Sequence, residues 1–181
     1  MSAADRIAFA DESGTGGRTK CYGIGVLSYD RIEEVHVDRW IAEFKNFHNV
    51  TSELGWEGIR NRMSDINFLL DCLAEVLRPN SIRFDAIIVH TARYNNWSKP
   101  GADRETAFYT TYTLLLKYIA GQAPGVTRVF IDDRSDSYDK HHESMEIIGN
   151  RMLAHGSSNG RLSGTTRVDS KNEIGISLAS S

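Results

Sequence analysis

Two short apolar runs constrain this chain more than any other feature, because each stops on a carboxylate. Ile7-Ala8-Phe9-Ala10 leads into Asp11-Glu12-Ser13-Gly14, and Val126-Thr127-Arg128-Val129-Phe130-Ile131 leads into Asp132-Asp133. Runs of this length bounded by polar or glycine turn residues have the pattern of buried strands. An ionised Asp beside such a strand is costly to bury unless a cation or hydrogen-bond donors receive it. If the two strands are parallel neighbours, their carboxyl ends lie side by side, at the edge where open α/β sheets place ligand sites. The plainer reading is that both strands end in polar turns, with Asp136 and Asp139 capping a following helix.

The remaining periodicities supply the other elements. Cys21 to Ser28 has the pattern of a second strand, and Glu33-Glu34-Val35-His36-Val37 alternates like a short third one, which together predict an antiparallel meander. From Asp38 to about His48 the period becomes helical, with Trp40, Ile41, Phe44 and Phe47 on one side. A longer helix follows, with Ile59, Met63, Ile66, Leu69, Leu70, Leu73 and Leu77 as its apolar face and Pro79 as its stop. Phe84 to His90 is expected to be a buried strand, and Thr106 to Ala120 a helix with Phe108, Tyr112, Leu115, Leu116 and Ile119 inside. A helix from Tyr138 to Leu153, a last strand over Thr165 to Val168 and the first turns of a helix at Ile174 to Ala179 complete the order. A meander followed by helices alternating with buried strands predicts an α/β mixed sheet, antiparallel then parallel, with helices on both faces. That is the element order of ribonuclease-H-like folds. One domain over residues 1–181 is expected, its final helix truncated at the C-terminus.

Composition narrows the partners only slightly. A net charge of -3 provides no field that would draw in nucleic acid, although Arg60 with Arg62, and Arg161, Arg167 and Lys171, are local basic groups. Cys21 and Cys72 have neither ligand spacing nor a disulfide framework, and no apolar run is long enough to span a bilayer. The expectation is a cytoplasmic protein without a membrane partner.

Two further acids can join the pair. Asp169 follows the predicted last strand, and Glu53 sits in the loop between two helices. Oxygen donors of this kind suit hard divalent cations, Mg²⁺ or Mn²⁺. Two such ions about 4 Å apart can hold the attacking and leaving oxygens of a phosphodiester.

Four segments, taken in order, also carry a family resemblance. Phe9-Ala10-Asp11-Glu12-Ser13-Gly14, Ser52-Glu53-Leu54 before Trp56, Phe130-Ile131-Asp132 and Val168-Asp169-Ser170-Lys171 resemble the ordered motifs of the domain of unknown function 3800 family (DUF3800) over nearly the whole chain. The resemblance implies a ribonuclease-H-like fold with acids placed as in metal-dependent nucleases. By it, Asp11 and Asp132 are metal ligands, Glu53 and Asp169 supporting acids that join the metal site, and Lys171 a phosphate contact. Two departures stand out. Gly55 occupies a place where the family has Lys, and Ser177-Leu178-Ala179-Ser180 replaces a Gln-Leu-Ala-Asp helix. The serine removes one negative charge, which predicts weak metal affinity and slow cleavage.

The expected function is a divalent-metal-dependent nuclease acting on the phosphodiesters of DNA or RNA, with nucleic acid as its partner and a protein partner or a second copy of the chain also in view. The alternative is a catalytically degenerate module of the same fold that binds nucleic acid or a protein. Less well supported is a haloacid-dehalogenase-type phosphatase. Asp11-Glu12-Ser13-Gly14-Thr15 is similar to that family's Asp-x-Asp-Gly-Thr loop, but Ser13 stands where its general acid would be. Tyr94-Asn95-Asn96-Trp97, with Arg93 and Lys99, could stack a base and contact phosphate, or form a polar loop with an aromatic anchor. His141, His142 and His155 lack ligand spacing.

Overall fold

The computed structural model describes residues 5–14, 20–51, 62–76, 78, 82–94, 100–101, 103–122, 124–132 and 142–168. Its centre is a five-stranded sheet in the order β3-β2-β1-β4-β5. The strands are β1 (Arg6–Ser13), β2 (Cys21–Asp30), β3 (Arg83–His90), β4 (Gly125–Asp132) and β5 (Gly160–Val168). β1 pairs antiparallel with β2, and β2 antiparallel with β3, whereas β1 and β4, and β4 and β5, are parallel. Four α-helices are described: α1 (Glu34–His48), entered through a single 3₁₀ turn at Arg31–Glu33, α2 (Met63–Val76), α3 (Arg104–Gly121) and α4 (His142–His155). The fold is a ribonuclease-H-like mixed sheet with helices on both faces, as the element order predicts. Among the described residues no helix is long and apolar enough to cross a membrane.

Strand alternation divides the core into two layers. Ala8 and Ala10 of β1 face α3 and α4, together with Tyr22, Ile24, Val26, Val129 and Ile131. The small alanines leave depth for Phe108, Tyr112 and Leu116 of α3, so the helix packs closely on the sheet. α3 starts where Asp103 caps it: Oδ1 accepts the Thr106 amide at 3.2 Å and Oδ2 the Thr106 hydroxyl at 2.7 Å. On the other face Ile7, Phe9, Leu27 and Tyr29 pack against Val37, Trp40 and Ile41 of α1 and Phe68 and Cys72 of α2. His48, at the end of α1, bonds Asp71 of α2 across 2.7 Å and ties the two helices together.

Several expectations from the sequence are corrected here. Glu33 to Val37 is not a strand: Glu33 closes the 3₁₀ turn and α1 begins at Glu34. Val37 is buried with Ile41 one helical turn later, while Val35 is exposed, so the apparent two-residue period is part of a helical one. The third strand of the meander is β3. Phe47 points to solvent. The inner face of α2 is Asp65, Phe68, Leu69, Cys72 and Val76, and Met63, Leu70 and Leu73 lie outside it. β3 is an edge strand with strict alternation, and its Ile88 is 77% exposed, so this run is apolar without being covered. β5 begins at Gly160, earlier than Thr165, because pairing with β4 recruits Gly160 to Ser163 despite their weak strand preference. Ile59, Leu77, residues 138–141 and residues 174–179 lie outside the described residues.

The assignment of the α2 face predicts that Phe68→Ala lowers unfolding stability by about 3–5 kcal/mol. Leu70→Ala, two residues on and on the exposed side of the helix, should stay within about 0.5 kcal/mol in the same denaturant titration. The thiols give a second check. Burial, reinforced by the charge of Asp71 and opposed by Lys45, pushes the Cys72 thiol up to about 12, while Cys21 is exposed. A thiol reagent should modify Cys21 alone in the native protein and both cysteines after denaturation. Above the ordinary thiol range the unfolded chain releases a proton that folded Cys72 keeps up to about 12, so stability should fall as pH rises through that window.

Candidate active site

Strand register builds the site. Ile7 lies opposite Arg128, Phe9 opposite Phe130 and Ala10 opposite Ile131, so Asp11 and Asp132 occupy the next position on two parallel strands. Such strands run about 4.8 Å apart. On the far side of β4, Asp132 pairs with Val168, the residue before Asp169. The backbone therefore carries Asp11, Asp132 and the approach to Asp169 to one edge of the sheet. Glu53, Asp169, Lys171 and Ser180 lie outside the described residues, and of Asp132 the backbone position is described. Among the described residues no group of three or more acidic, His or Cys side chains gathers as a metal site.

Asp11 is 7% exposed, and its Oδ1 accepts the Glu12 amide at 2.7 Å. That charge-assisted bond holds the carboxylate against its own strand. Glu12 is 9% exposed and falls, by alternation, on the sheet face that carries Ala8 and Ala10, so the adjacent acids serve opposite faces. The turn after them requires glycine. Gly14 has φ +75°, and a Cβ there would meet the Cys21 carbonyl oxygen at 2.7 Å. Hard oxygen donors on adjacent strand ends are a donor set that fits a divalent cation.

One feature of the site escaped the sequence reading. Beside Asp11 the sheet carries Gly25 and then Ala86, and beside Ser13 it carries Gly23 and then Ile88. These positions share the face of Phe9 and Asp11, so β2 places no side chain of its own beside the acid. A Cβ on Gly23 would find nothing nearer than the Ile87 carbonyl oxygen at 3.8 Å, an ordinary contact. Packing does not demand glycine there. The available signal is the two-residue spacing of Gly23 and Gly25 inside an apolar strand, a pattern found at bulges, at bends and where another group approaches the backbone.

Two buried charged groups elsewhere serve the fold. At the opposite edge the buried Arg6 guanidinium lies 3.5 Å from Asp30 and donates to Ser28 at 3.2 Å; burial pulls its pKa down, and Asp30 partly offsets this. Buried Asp65 is held by Arg62 at 2.8 Å at the start of α2. His142 and His155 sit at opposite ends of α4, far from ligand spacing; His141 lies outside the described residues.

No family model matches the chain, and no curated protein matches it. Solved structures do. Ribonuclease HII of Archaeoglobus fulgidus, in its complex with PCNA, aligns with a TM-score of 0.55 at 11% identity over 96% of this chain and 68% of that one. Ribonuclease H2 of Pyrococcus horikoshii OT3 aligns with a TM-score of 0.53 at 11% identity, over 97% and 68%. Bst-RNase HIII in complex with Mn²⁺ aligns with a TM-score of 0.52 at 15% identity over 98% of this chain, which spans 50% of that protein. At these identities the likeness is one of fold, and with the strand order above it identifies the chain as having a ribonuclease-H-like fold.

Proposed function

We propose that the chain is a divalent-metal-dependent nuclease that cleaves nucleic-acid phosphodiesters at the edge where β1 and β4 end. The observation that carries this reading is the parallel register that sets Asp11 beside Asp132. Asp11 and Asp132 hold the cation, Mg²⁺ or Mn²⁺, with Asp169 and Glu53 as further ligands and Lys171 as a phosphate contact. The same ordered motifs support placing the chain in DUF3800. A bound cation supplies charge neutralisation and Lewis acidity at the phosphate. The chain's own part is to present a desolvated carboxylate in a fixed rotamer, through the Glu12 amide, and to let the substrate backbone come close beside Gly23 and Gly25. The structural neighbours support the choice of polymer and of cation: two are ribonucleases HII and H2, and Bst-RNase HIII was solved with Mn²⁺. Against a phosphatase of the haloacid-dehalogenase type stands the antiparallel β2 that follows Asp-Glu-Ser-Gly.

The test is calorimetric titration with Mn²⁺ together with cleavage of labelled RNA–DNA hybrid, RNA and DNA. Asp11→Asn and Asp132→Asn should each abolish the heat of binding. Each should also reduce cleavage by more than the roughly 10–100-fold that follows loss of an outer-shell partner. Full activity in Asp11→Asn would overturn the assignment. Binding of nucleic acid without cleavage in Mg²⁺ or Mn²⁺ would identify the degenerate module instead, with Ser180 as the missing ligand.

A further inference from the structure

We propose that a nucleic-acid strand leaving the acid edge runs along Gly25 and Gly23, where β2 has no side chains of its own, and is gripped, several nucleotides away, by Lys20 and Arg93. The placement rests on Asp11 and Asp132 being the reacting centre. Three observations carry it: a lane along a stretch of β2 with no side chains of its own on this face, a hydrogen-bonded cationic turn at its far end, and an exposed apolar side chain beside it.

The lane follows from register. Asp11 lies opposite Gly25, and β2 begins four residues further along at Cys21, which lies opposite His90 of β3. Four strand residues extend about 13 Å and two strand spacings about 10 Å, so the far end is about 16 Å from Asp11. Between them this face of β2 carries Gly25 and Gly23, bordered on β3 by exposed Ala86 and by Ile88, which is 77% exposed. An exposed isoleucine on an edge strand costs apolar hydration that a sugar or base lying on it would relieve.

At the far end, chain geometry fixes two cations. Thr91, itself buried, donates both its amide and its hydroxyl to the Lys20 carbonyl oxygen, each at 2.9 Å. The turn then closes with the Arg93 and Tyr94 amides on the His90 carbonyl oxygen at 3.0 and 3.1 Å. Tyr94 packs against the core and donates its hydroxyl to the Ala107 carbonyl oxygen at 3.4 Å. Lys20, His90 and Arg93 are exposed on this turn, and among the described residues neither Lys20 nor Arg93 has an ion-pair partner. Two cations without an ion-pair partner among the described residues, on a turn held by these hydrogen bonds, suit a phosphodiester chain, whose charges recur along its length. His90 adds a ring on which a base can stack.

The experiment measures binding of the full chain to labelled oligonucleotides, long enough to span both ends of the lane, as a function of salt and in EDTA so that cleavage does not enter. The Lys20→Ala/Arg93→Ala double variant should lower the slope of log affinity against log salt by about 1.4–1.8, two contacts at about 0.7–0.9 each. The Thr91 bonds go to a main-chain carbonyl, so the turn survives both replacements. Gly23→Val should weaken binding by obstructing the lane while leaving the salt slope unchanged, since its Cβ has room. Arg31→Ala, on the opposite edge of the sheet, is the control and should change neither. An unchanged slope in the double variant, an equal loss in Arg31→Ala, or no binding by the unaltered chain would overturn the proposal. Cleavage with an unchanged slope would reject the lane alone, whereas a lowered slope without Mn²⁺-dependent cleavage would reject the nuclease reading alone.

Discussion

The parallel pairing of β1 with β4 is the constraint on which the rest depends. β1 lies at the middle of the sheet, and its Ala8 and Ala10 are fully buried, so a one-residue slip in register would move every side chain on it to the wrong face. Phe9 and Phe130 hold that register from one side, stacked with ring centroids 5.1 Å apart and planes 19° from parallel. Such a pair adds about 0.5–1.5 kcal/mol beyond its buried area. Two residues further along, the same register sets Asp11 beside Asp132. The core contact and the candidate site are thus one alignment read at two levels of the sheet.

How much of this was legible in the sequence depended on whether a residue's surroundings were local. The adjacency of Asp11 and Asp132 could be argued in advance, because an apolar run that ends on an acid carries both its burial and its polarity in one stretch. The inner face of α3 was equally readable: Phe108, Tyr112, Leu115, Leu116 and Ile119 are all buried. The α2 face was not, because its apolar residues nearly encircle the helix and only packing against α1 and Leu27 selects Phe68 over Leu70. Glu33 to Val37 misled for a related reason, since two valines two residues apart fit a strand until Val37 is seen to share a layer with Ile41. The run around Ile88 looked like a central strand because composition does not reveal which strand of a sheet is last.

The glycines of β2 show a different limit. Gly23 and Gly25 weaken a strand on their own account, and the Cβ environment of Gly23 supplies no packing reason for a glycine there. They acquire meaning only when register brings them alongside Asp11. Buried Asp11 and the exposed cations of the Lys20–Arg93 turn then stand at two ends of a stretch of β2 that has no side chains of its own on that face. A net charge of -3 conceals that arrangement, since charge summed over the chain says nothing about where each sign collects.

The central claim, that Asp11 and Asp132 are neighbours on parallel strands, is tested most directly by cross-linking. Adjacent strands about 4.8 Å apart bring Cα atoms into the roughly 4.4–6.8 Å range that a disulfide spans. In a background with Cys21→Ser and Cys72→Ala, Asp11→Cys combined with Asp132→Cys should form an intramolecular disulfide under mild oxidation that dithiothreitol reverses. Asp11→Cys combined with Val126→Cys, at the other end of β4, should not. Failure of the first pair to cross-link in a folded protein, or cross-linking of the second, would contradict the register and with it the site.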